Sequence, residues 1–291
     1  MSRAQELRSL LDRPGIVSFP CCCDALSARL IERAGFPLSF MSGFAVSASR
    51  LGLPDTGLIS YGEMIDQGTN ICARVSIPII GDGDTGYGNA VNVKRTVDGY
   101  AAAGFAAVMI EDQEWPKRCG HTHGKRVVSR EAAIARIRAA VDAREEGADI
   151  LILARTDALA TDGLDEALSR ARAFSDVGAD MLFVEAPTSR QEMEAIVRGA
   201  PGHHLANMIV DGQTPYLTER ELEAVGYKLV AHPVALLRAS IAGMKRALDS
   251  LKRGEAPNTG ISFDELKDDV GFDDYYREAS RYQDGTEDID A

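Results

Sequence analysis

The chain has 291 residues, 45% of them hydrophobic and 26% charged, which are the proportions of a globular protein with a sizeable core. Its formal net charge of −12 and pI near 4.9 argue against nucleic acid or an anionic membrane as a partner, since both want a basic face. No stretch approaches the ~18 apolar residues of a membrane span, and the opening MSRAQELRSLLDRPG has no signal-peptide apolar region, so a cytoplasmic protein is expected.

Taken in order, the chain alternates. A helix over Met1–Arg13 precedes a short apolar strand, Ile16–Phe19, and an amphipathic helix, Asp24–Ala34. The same alternation predicts strands at Leu38–Met41, Ile77–Ile80, Ala106–Ile110 and Ile150–Ala154, then at Met181–Val184, Leu205–Met208 and Lys228–Ala231. Helical patterns follow each of them, the last being a long one over Val234–Arg253. Eight apolar runs, each followed by a helix, are the signature of parallel βαβ units. Eight of them favour a closed (β/α)8 TIM barrel over an open sheet. The expected division is a barrel domain over 1–255 and a C-terminal helical extension with an acidic tail over 256–291. Aromatics at Phe263, Phe272, Tyr275, Tyr276 and Tyr282 mark that extension as a segment that packs on a neighbour.

What stands at the strand ends carries the functional argument. Ser42, Asp82, Asp84, Glu111, Arg155, Glu185, Asn207 and His232 all fall at or just beyond the end of an apolar run. In a barrel those ends converge on one face, where active sites lie. Solvated loop caps explain any one of these residues, but poorly explain the whole set.

Gly81–Gly88 contains a formal GxGxxG, but two aspartates inside it would repel a pyrophosphate, and the glycines sit at the third strand. An EF-hand reading fails at Gly86 and Val93, which stand where oxygen ligands are needed. Two carboxylates in a tight loop remain, and magnesium is held in that way, through one or two carboxylates, water and substrate oxygens. Glu111, Asp112 and Asp55 are candidates to complete the shell, and Glu185 is either another carboxylate of the site or half of an ion pair with Arg155. Cys119 stands in a polar loop after Lys117 and Arg118 and before His121, among cations that favour a thiolate. Nucleophile, general acid and buried filler are its three readings. Cys21–Cys23 reads as small apolar filler at a strand end, with reduced thiols throughout. His123, His203 and His204 carry no usable pattern and are expected at the surface.

Seven stretches carry a resemblance: DALSARL (Asp24–Leu30), SGFAVSASRLGLPDTG (Ser42–Gly57), GDGDTGYGN (Gly81–Asn89), IEDQ (Ile110–Gln113), PKRCGH (Pro116–His121), ARTDA (Ala154–Ala158) and FVEAP (Phe183–Pro187). Together they resemble the isocitrate lyase / phosphoenolpyruvate mutase superfamily over roughly Leu7 to Ser250, and KRCGH resembles its methylisocitrate lyase and dimethylmalate lyase branch. The resemblance implies a barrel whose eighth helix is exchanged between subunits, in a homotetramer built as a dimer of dimers. It implies Mg2+, with Mn2+ as an alternative, held by Asp84 and supported by Asp82, Asp55 and Glu111. It implies that Ser42, Gly43, Phe44, Lys117, Gly120, His121, Arg155, Glu185, Asn207 and Pro233 meet a small dicarboxylate substrate.

The activity implied is cleavage of a 2-hydroxydicarboxylate or tricarboxylate by retro-Claisen (retro-aldol) chemistry. A 2-oxo acid such as pyruvate leaves, Cys119 protonates the other fragment, and Arg155, Glu111 and His121 assist. Two departures stand out. Relatives carry a tyrosine where this chain has Phe40, and often Tyr-Pro where it has His232-Pro233. The competing expectations are an oxaloacetate hydrolase or decarboxylase, a phosphonopyruvate-type C–P enzyme, and a dicarboxylate-binding barrel without turnover.

Overall fold

The computed structural model describes residues 1–120 and 124–282. Eight parallel strands close into a barrel in sequence order: β1 Val17–Cys22, β2 Ser39–Met41, β3 Ile79–Asp82, β4 Ala107–Glu111, β5 Leu151–Thr156, β6 Met181–Val184, β7 His203–Asn207 and β8 Leu229–His232. The closure is the pairing of β1 with β8, which sets Val17 opposite Leu229 and Pro20 opposite His232. The expected fold class is therefore observed.

Helices fill the crossovers: α1 Arg3–Asp12, α2 Ala25–Arg33, α3 Gly43–Val46, α4 Tyr61–Arg74, α5 Ala90–Ala102, α6 Arg130–Glu145, α7 Ala158–Thr161, α8 Leu164–Asp176, α9 Arg190–Gly199 and α10 Glu219–Val225. α11 Ala235–Lys252, α12 Phe263–Val270 and α13 Phe272–Ser280 follow. Many start on capping boxes, in which a side chain at the N-cap and one three residues on satisfy each other's free N–H groups; Ser2/Gln5, Ser60/Glu63 and Thr218/Glu221 are examples. Gly271, at φ +90°, separates α12 from α13 as expected. The short α3, the π-turn Ser47–Leu51 and α7 lie beyond the expected alternation, because each is too short to show a period.

Two compact units are resolved by internal packing, Met1–Leu237 and the chain from Arg238 onward. The division falls inside α11, whereas the sequence expectation places it after that helix. No described helix is long and apolar enough to cross a membrane.

Strand side chains alternate between two buried layers. Phe19, Cys21, Phe40, Ile80, Met109, Leu153, Phe183, Leu205 and Ala231 form the barrel interior, joined by Leu7, Leu10 and Leu11 of α1. Cys22, Met41, Ile79, Val108, Ile110, Ile152, Leu182 and Val184 belong to the layer between strands and helices. This alternation has a functional consequence. A residue two positions beyond an interior side chain points the same way. Asp82 follows Ile80, Glu111 follows Met109, Arg155 follows Leu153, Glu185 follows Phe183 and Asn207 follows Leu205. One phase of one pattern thus delivers five polar groups to one mouth of the barrel.

Candidate active site

A cavity of about 250 Å3 opens at that mouth, lined by Cys21, Phe40, Ser42, Phe44, Asp55, Asp82, Met109, Lys117, Arg118, Cys119, Gly120, Arg155, Phe183, Glu185, Leu205, Asn207, Ile209, Ala231, Pro233 and Val234. The expected site residues Ser42, Phe44, Asp55, Asp82, Lys117, Cys119, Gly120, Arg155, Glu185, Asn207 and Pro233 are brought together here. Asp84 and Glu111 are buried beside Lys117 and Arg155, their ion-pair partners, and do not themselves line the cavity. His121 and His123 lie outside the described residues.

The acidic loop is built on Asp82. Its carboxylate accepts hydrogen bonds from the Gly43 amide at 3.0 Å and the Asp84 amide at 3.1 Å, tying β2's exit to β3's. A Cβ at Gly43 would stand 2.5 Å from Asp82 Oδ2, so only glycine permits that approach. Tyr100 donates its hydroxyl to the Asp82 carbonyl at 2.5 Å from behind. Asp84 is held at φ +48°, in the left-handed region that non-glycine residues seldom adopt. The Lys117 ammonium lies 2.5 Å from Asp55 Oδ1 and 2.8 Å from Asp84 Oδ1.

Whether these groups fit a cation can be asked of the acceptors. Asp84 Oδ2 and Glu111 Oε1 are buried and have no hydrogen-bond partner among the described residues. A buried carboxylate oxygen without a donor is costly, and a cation removes that cost. Burial raises the Asp84 carboxyl to about 7, opposed by Lys117 and reinforced by Asp82 and Asp55. Burial also pushes Glu111 up, against the pull of Arg155. Among the described residues no three side chains of the His, Cys, Asp and Glu set gather into a complete ligand cage. Magnesium needs none, since it keeps several waters and takes one or two carboxylates. The donor set fits a hard divalent cation.

Arg155 is the other pole. Its guanidinium meets Asp157 at 2.8 and 3.1 Å, Glu185 at 3.1 Å and Glu111 at 3.3 Å, and lies 5.3 Å over the Phe183 ring. Glu185 thus takes both readings offered by the sequence, a cavity carboxylate and an ion-pair partner of Arg155. Although burial alone would lower Arg155 and raise Asp157, their mutual attraction wins. Arg155 stays well above its usual value, and Asp157, with Lys125 as a second cation, falls to about 2.

Two expectations need correction. Asp112 faces away from the cavity, accepting from Thr156 Oγ1 at 2.6 Å, the Asp157 amide at 2.9 Å and Arg170 at 3.0 Å. The pleat dictates this, because Asp112 follows Glu111 by one residue and points the opposite way. His204 is buried rather than at the surface, its Nε2 2.8 Å from the Ala200 carbonyl. Cys21 packs in the barrel interior as the expected small filler and also borders the cavity. The sequence reading also assigned no role to Asp157 and Lys125, a fully enclosed pair 2.9 Å apart. The signal for Asp157 was its place two residues after Arg155, on the same side of the strand end.

A family profile described as phosphoenolpyruvate phosphomutase matches residues 7–252. A 2,3-dimethylmalate lyase of Eubacterium barkeri is 42% identical over 94% of this chain and 96% of its own. A 2-methylisocitrate lyase of Aeropyrum pernix is 40% identical, over 92% and 87%. Among solved structures, a 2,3-dimethylmalate lyase superposes with TM-score 0.92 at 36% identity, covering 99% of both chains. An oxaloacetate acetylhydrolase bound to 3,3-difluorooxalacetate reaches TM-score 0.92 at 36% identity, over 96% of this chain and 97% of the other. A phosphonopyruvate hydrolase complexed with oxalate and Mg++ reaches 0.86 at 30%, over 97% and 99%. A barrel closed in sequence order, polar groups at its strand ends and near-complete coverage at these identities place the chain in the PEP mutase/isocitrate lyase superfamily.

Proposed function

We propose that this chain is a Mg2+-dependent carbon–carbon lyase that splits a 2-hydroxydicarboxylate or tricarboxylate, of the 2,3-dimethylmalate or 2-methylisocitrate kind, into a 2-oxo acid and a carboxylate. The observation that carries the reading is the juxtaposition of Cys119 and Gly120 with the Arg155–Glu185 pair in the cavity beside the Asp82–Asp84 loop.

Asp84 would hold the metal, with Asp82, Asp55 and Glu111 in support, and Mn2+ would serve in its place. When bound, the ion supplies positive charge that binds the substrate's 2-oxygen and carboxylate and favours loss of the hydroxyl proton. The protein's own groups do the rest. Arg155 binds an oxygen of the substrate's reacting end, with Ser42 and the Gly43–Phe44 backbone lining the same wall. Glu185 and Asn207 orient the distal carboxylate. Lys117 balances the acidic loop and also meets substrate, as do Gly120, His121 and Pro233. Phe40 offers no proton acceptor, so Arg155 or a carboxylate of the site would take the hydroxyl proton. Glu111, buried behind Arg155 at 3.3 Å, would assist through that contact. As the C2–C3 bond breaks, its electrons pass to the departing carboxylate fragment as an enediolate, and Cys119 protonates the carbon. Phe40, Met109, Phe183 and Leu205 keep water from that carbanion. Two-domain organisation as 1–255 and 256–291, and a homotetramer of helix-swapped dimers, complete the proposal. The oligomer is supported by the exposed Ile241, Met244, Leu248 and Leu251 on α11.

A second reading, hydrolysis or decarboxylation of oxaloacetate, is favoured by the equal TM-score to the acetylhydrolase. A 2-oxo-acid-release assay with Mg2+ over 2,3-dimethylmalate, 2-methylisocitrate, isocitrate (read as glyoxylate), citramalate, oxaloacetate and phosphonopyruvate separates the two, with loss of oxaloacetate also followed directly. Pyruvate from one branched hydroxyacid is expected. Activity on oxaloacetate or phosphonopyruvate alone would overturn the lyase reading. Tight Mg2+-dependent binding without any turnover would make the chain a dicarboxylate-binding barrel.

A further inference from the structure

Cys119 sits in a stretch without regular secondary structure, and such a stretch has no ladder of its own to hold a thiol in register with a substrate carbon. Two buried side chains of the same β4–α6 connection, one on each side of Cys119, supply that hold. On the N-terminal side, Gln113, buried just past the end of β4, makes both amide hydrogen bonds to the backbone of one residue, Arg118, and so spans two consecutive peptide units. Its Oε1 accepts from the Arg118 N–H at 2.9 Å, and its Nε2 donates to the Arg118 carbonyl at 2.8 Å. Gln113 is itself fixed, because Arg136 donates to its carbonyl at 2.8 Å. On the C-terminal side, the Lys125 ammonium donates to the Gly120 carbonyl at 2.6 Å and to Asp157 Oδ1 at 2.9 Å. Asp157 in turn grips Arg155 with both carboxylate oxygens. Gly120 is pressed so closely on the Arg155–Glu185 pair that an added Cβ would come within 2.6 Å of Arg155 Nη2.

We propose that Gln113 and Lys125 are positioning residues that clamp the backbone on either side of Cys119, with Asp157 as the anchor that places the thiol-bearing loop and the Arg155 guanidinium in one fixed relation. The clamp needs these residue types. A side-chain amide can accept from one residue's N–H while donating to its C=O, and a buried ammonium can bridge a carbonyl and a carboxylate while its charge is neutralised. The inference rests on the reading of Cys119 as the acid, but its geometry does not depend on which hydroxyacid is cleaved. A misplacement of about 1 Å in a reacting group costs on the order of 100-fold in rate.

The test compares Lys125→Met, Lys125→Gln and Gln113→Leu in the full chain with Mg2+. Two quantities are measured: steady-state kinetics on the substrate found for the wild type, and the rate of iodoacetamide alkylation of Cys119 followed by peptide mass. Cys23 is the internal control, as the other half-exposed thiol. Lys125→Met and Gln113→Leu should lower kcat about 100-fold with KM changed less than about 3-fold. Cys119 alkylation should change by about 10-fold or more while Cys23 does not. Lys125→Gln, which keeps a donor toward the Gly120 carbonyl, should recover part of kcat.

Folded variants with wild-type kcat and a wild-type Cys119 labelling rate would overturn the proposal. So would a rise in KM alone, which would make these residues substrate contacts. Failure of all three variants to fold would assign them to stability and overturn it as well. A changed labelling rate at unchanged kcat would leave the clamp standing and remove Cys119 from the chemistry, so the two claims fail separately.

Discussion

Protonation of Asp84 should control metal binding. Burial holds the Asp84 carboxyl at about 7 rather than its ordinary 3.8, despite the Lys117 ammonium 2.8 Å away. A cation competes with the proton for the same oxygens, so below about pH 7 each pH unit should weaken Mg2+ binding about tenfold. With a midpoint near 7, about nine-tenths of Asp84 is ionised at pH 8 and about one-hundredth at pH 5, which is on the order of 100-fold in affinity, or about 3 kcal/mol. Stability runs the other way in the metal-free protein. A carboxyl raised on folding stabilises fully below its unfolded value, and that stabilisation is lost as pH rises through about 7; burial pushes Glu111 in the same direction. The assay is a Mg2+ titration followed by the fluorescence of the single tryptophan, Trp115, which stands two residues before Lys117 and 6.1 Å from Tyr87. Affinity rising from pH 5 to 7 and levelling above is expected, with Asp84→Asn losing the response. A pH-independent affinity, or an Asp84→Asn variant that binds as well as the wild type, would refute the reasoning.

Other outcomes follow from packing and from the metal. Gly81→Ala would bring a Cβ within 2.6 Å of the Tyr100 ring, which is enclosed and bonded to the Asp82 carbonyl. Overpacking of that kind costs about 1–3 kcal/mol, so thermal unfolding should fall by about 2–4 °C per kcal/mol, and an unchanged Tm would contradict the packing described. Met244→Glu with Leu248→Glu on α11 should disperse the proposed homotetramer in light scattering while a single-chain fold persists by circular dichroism. A native oligomer in that variant would place the interface elsewhere. Exhaustive chelation should abolish turnover, and Mg2+ or Mn2+ should restore it; activity that survives chelation would remove the metal from the account.

Much of this was readable beforehand, for a physical reason. A parallel barrel buries each strand on both faces, so its strands appear as short apolar runs, and a polar residue at the end of a run is conspicuous. Asp82, Glu111, Arg155, Glu185 and Asn207 were found that way. What the runs do not show is phase. Asp112 looked as useful as Glu111 until the pleat turned it outward onto Thr156 and Arg170. The first strand was expected over Ile16–Phe19, yet it runs Val17–Cys22 and carries Cys21 to the cavity. The third was expected to end at Ile80, but Gly81 and Asp82 remain in the ladder opposite Val108 and Met109. The clamp around Cys119 was hidden because Gln113 and Lys125 flank it in an irregular connection, where bonds between residues five apart follow no helical or strand period. Lys117 was expected at substrate, and the structure pairs it with Asp55 and Asp84.

The claim at the centre of the account is that a thiol beside this metal loop supplies the proton that completes C–C cleavage. Cys119→Ser tests it most directly, assayed for turnover on the hydroxyacid the wild type cleaves and, separately, for Mg2+-dependent oxalate binding. A hydroxyl is a far weaker acid than a thiol, so kcat should fall by about 100-fold to 10,000-fold while oxalate binding stays within about twofold of the wild type. Wild-type turnover by Cys119→Ser would contradict the account outright.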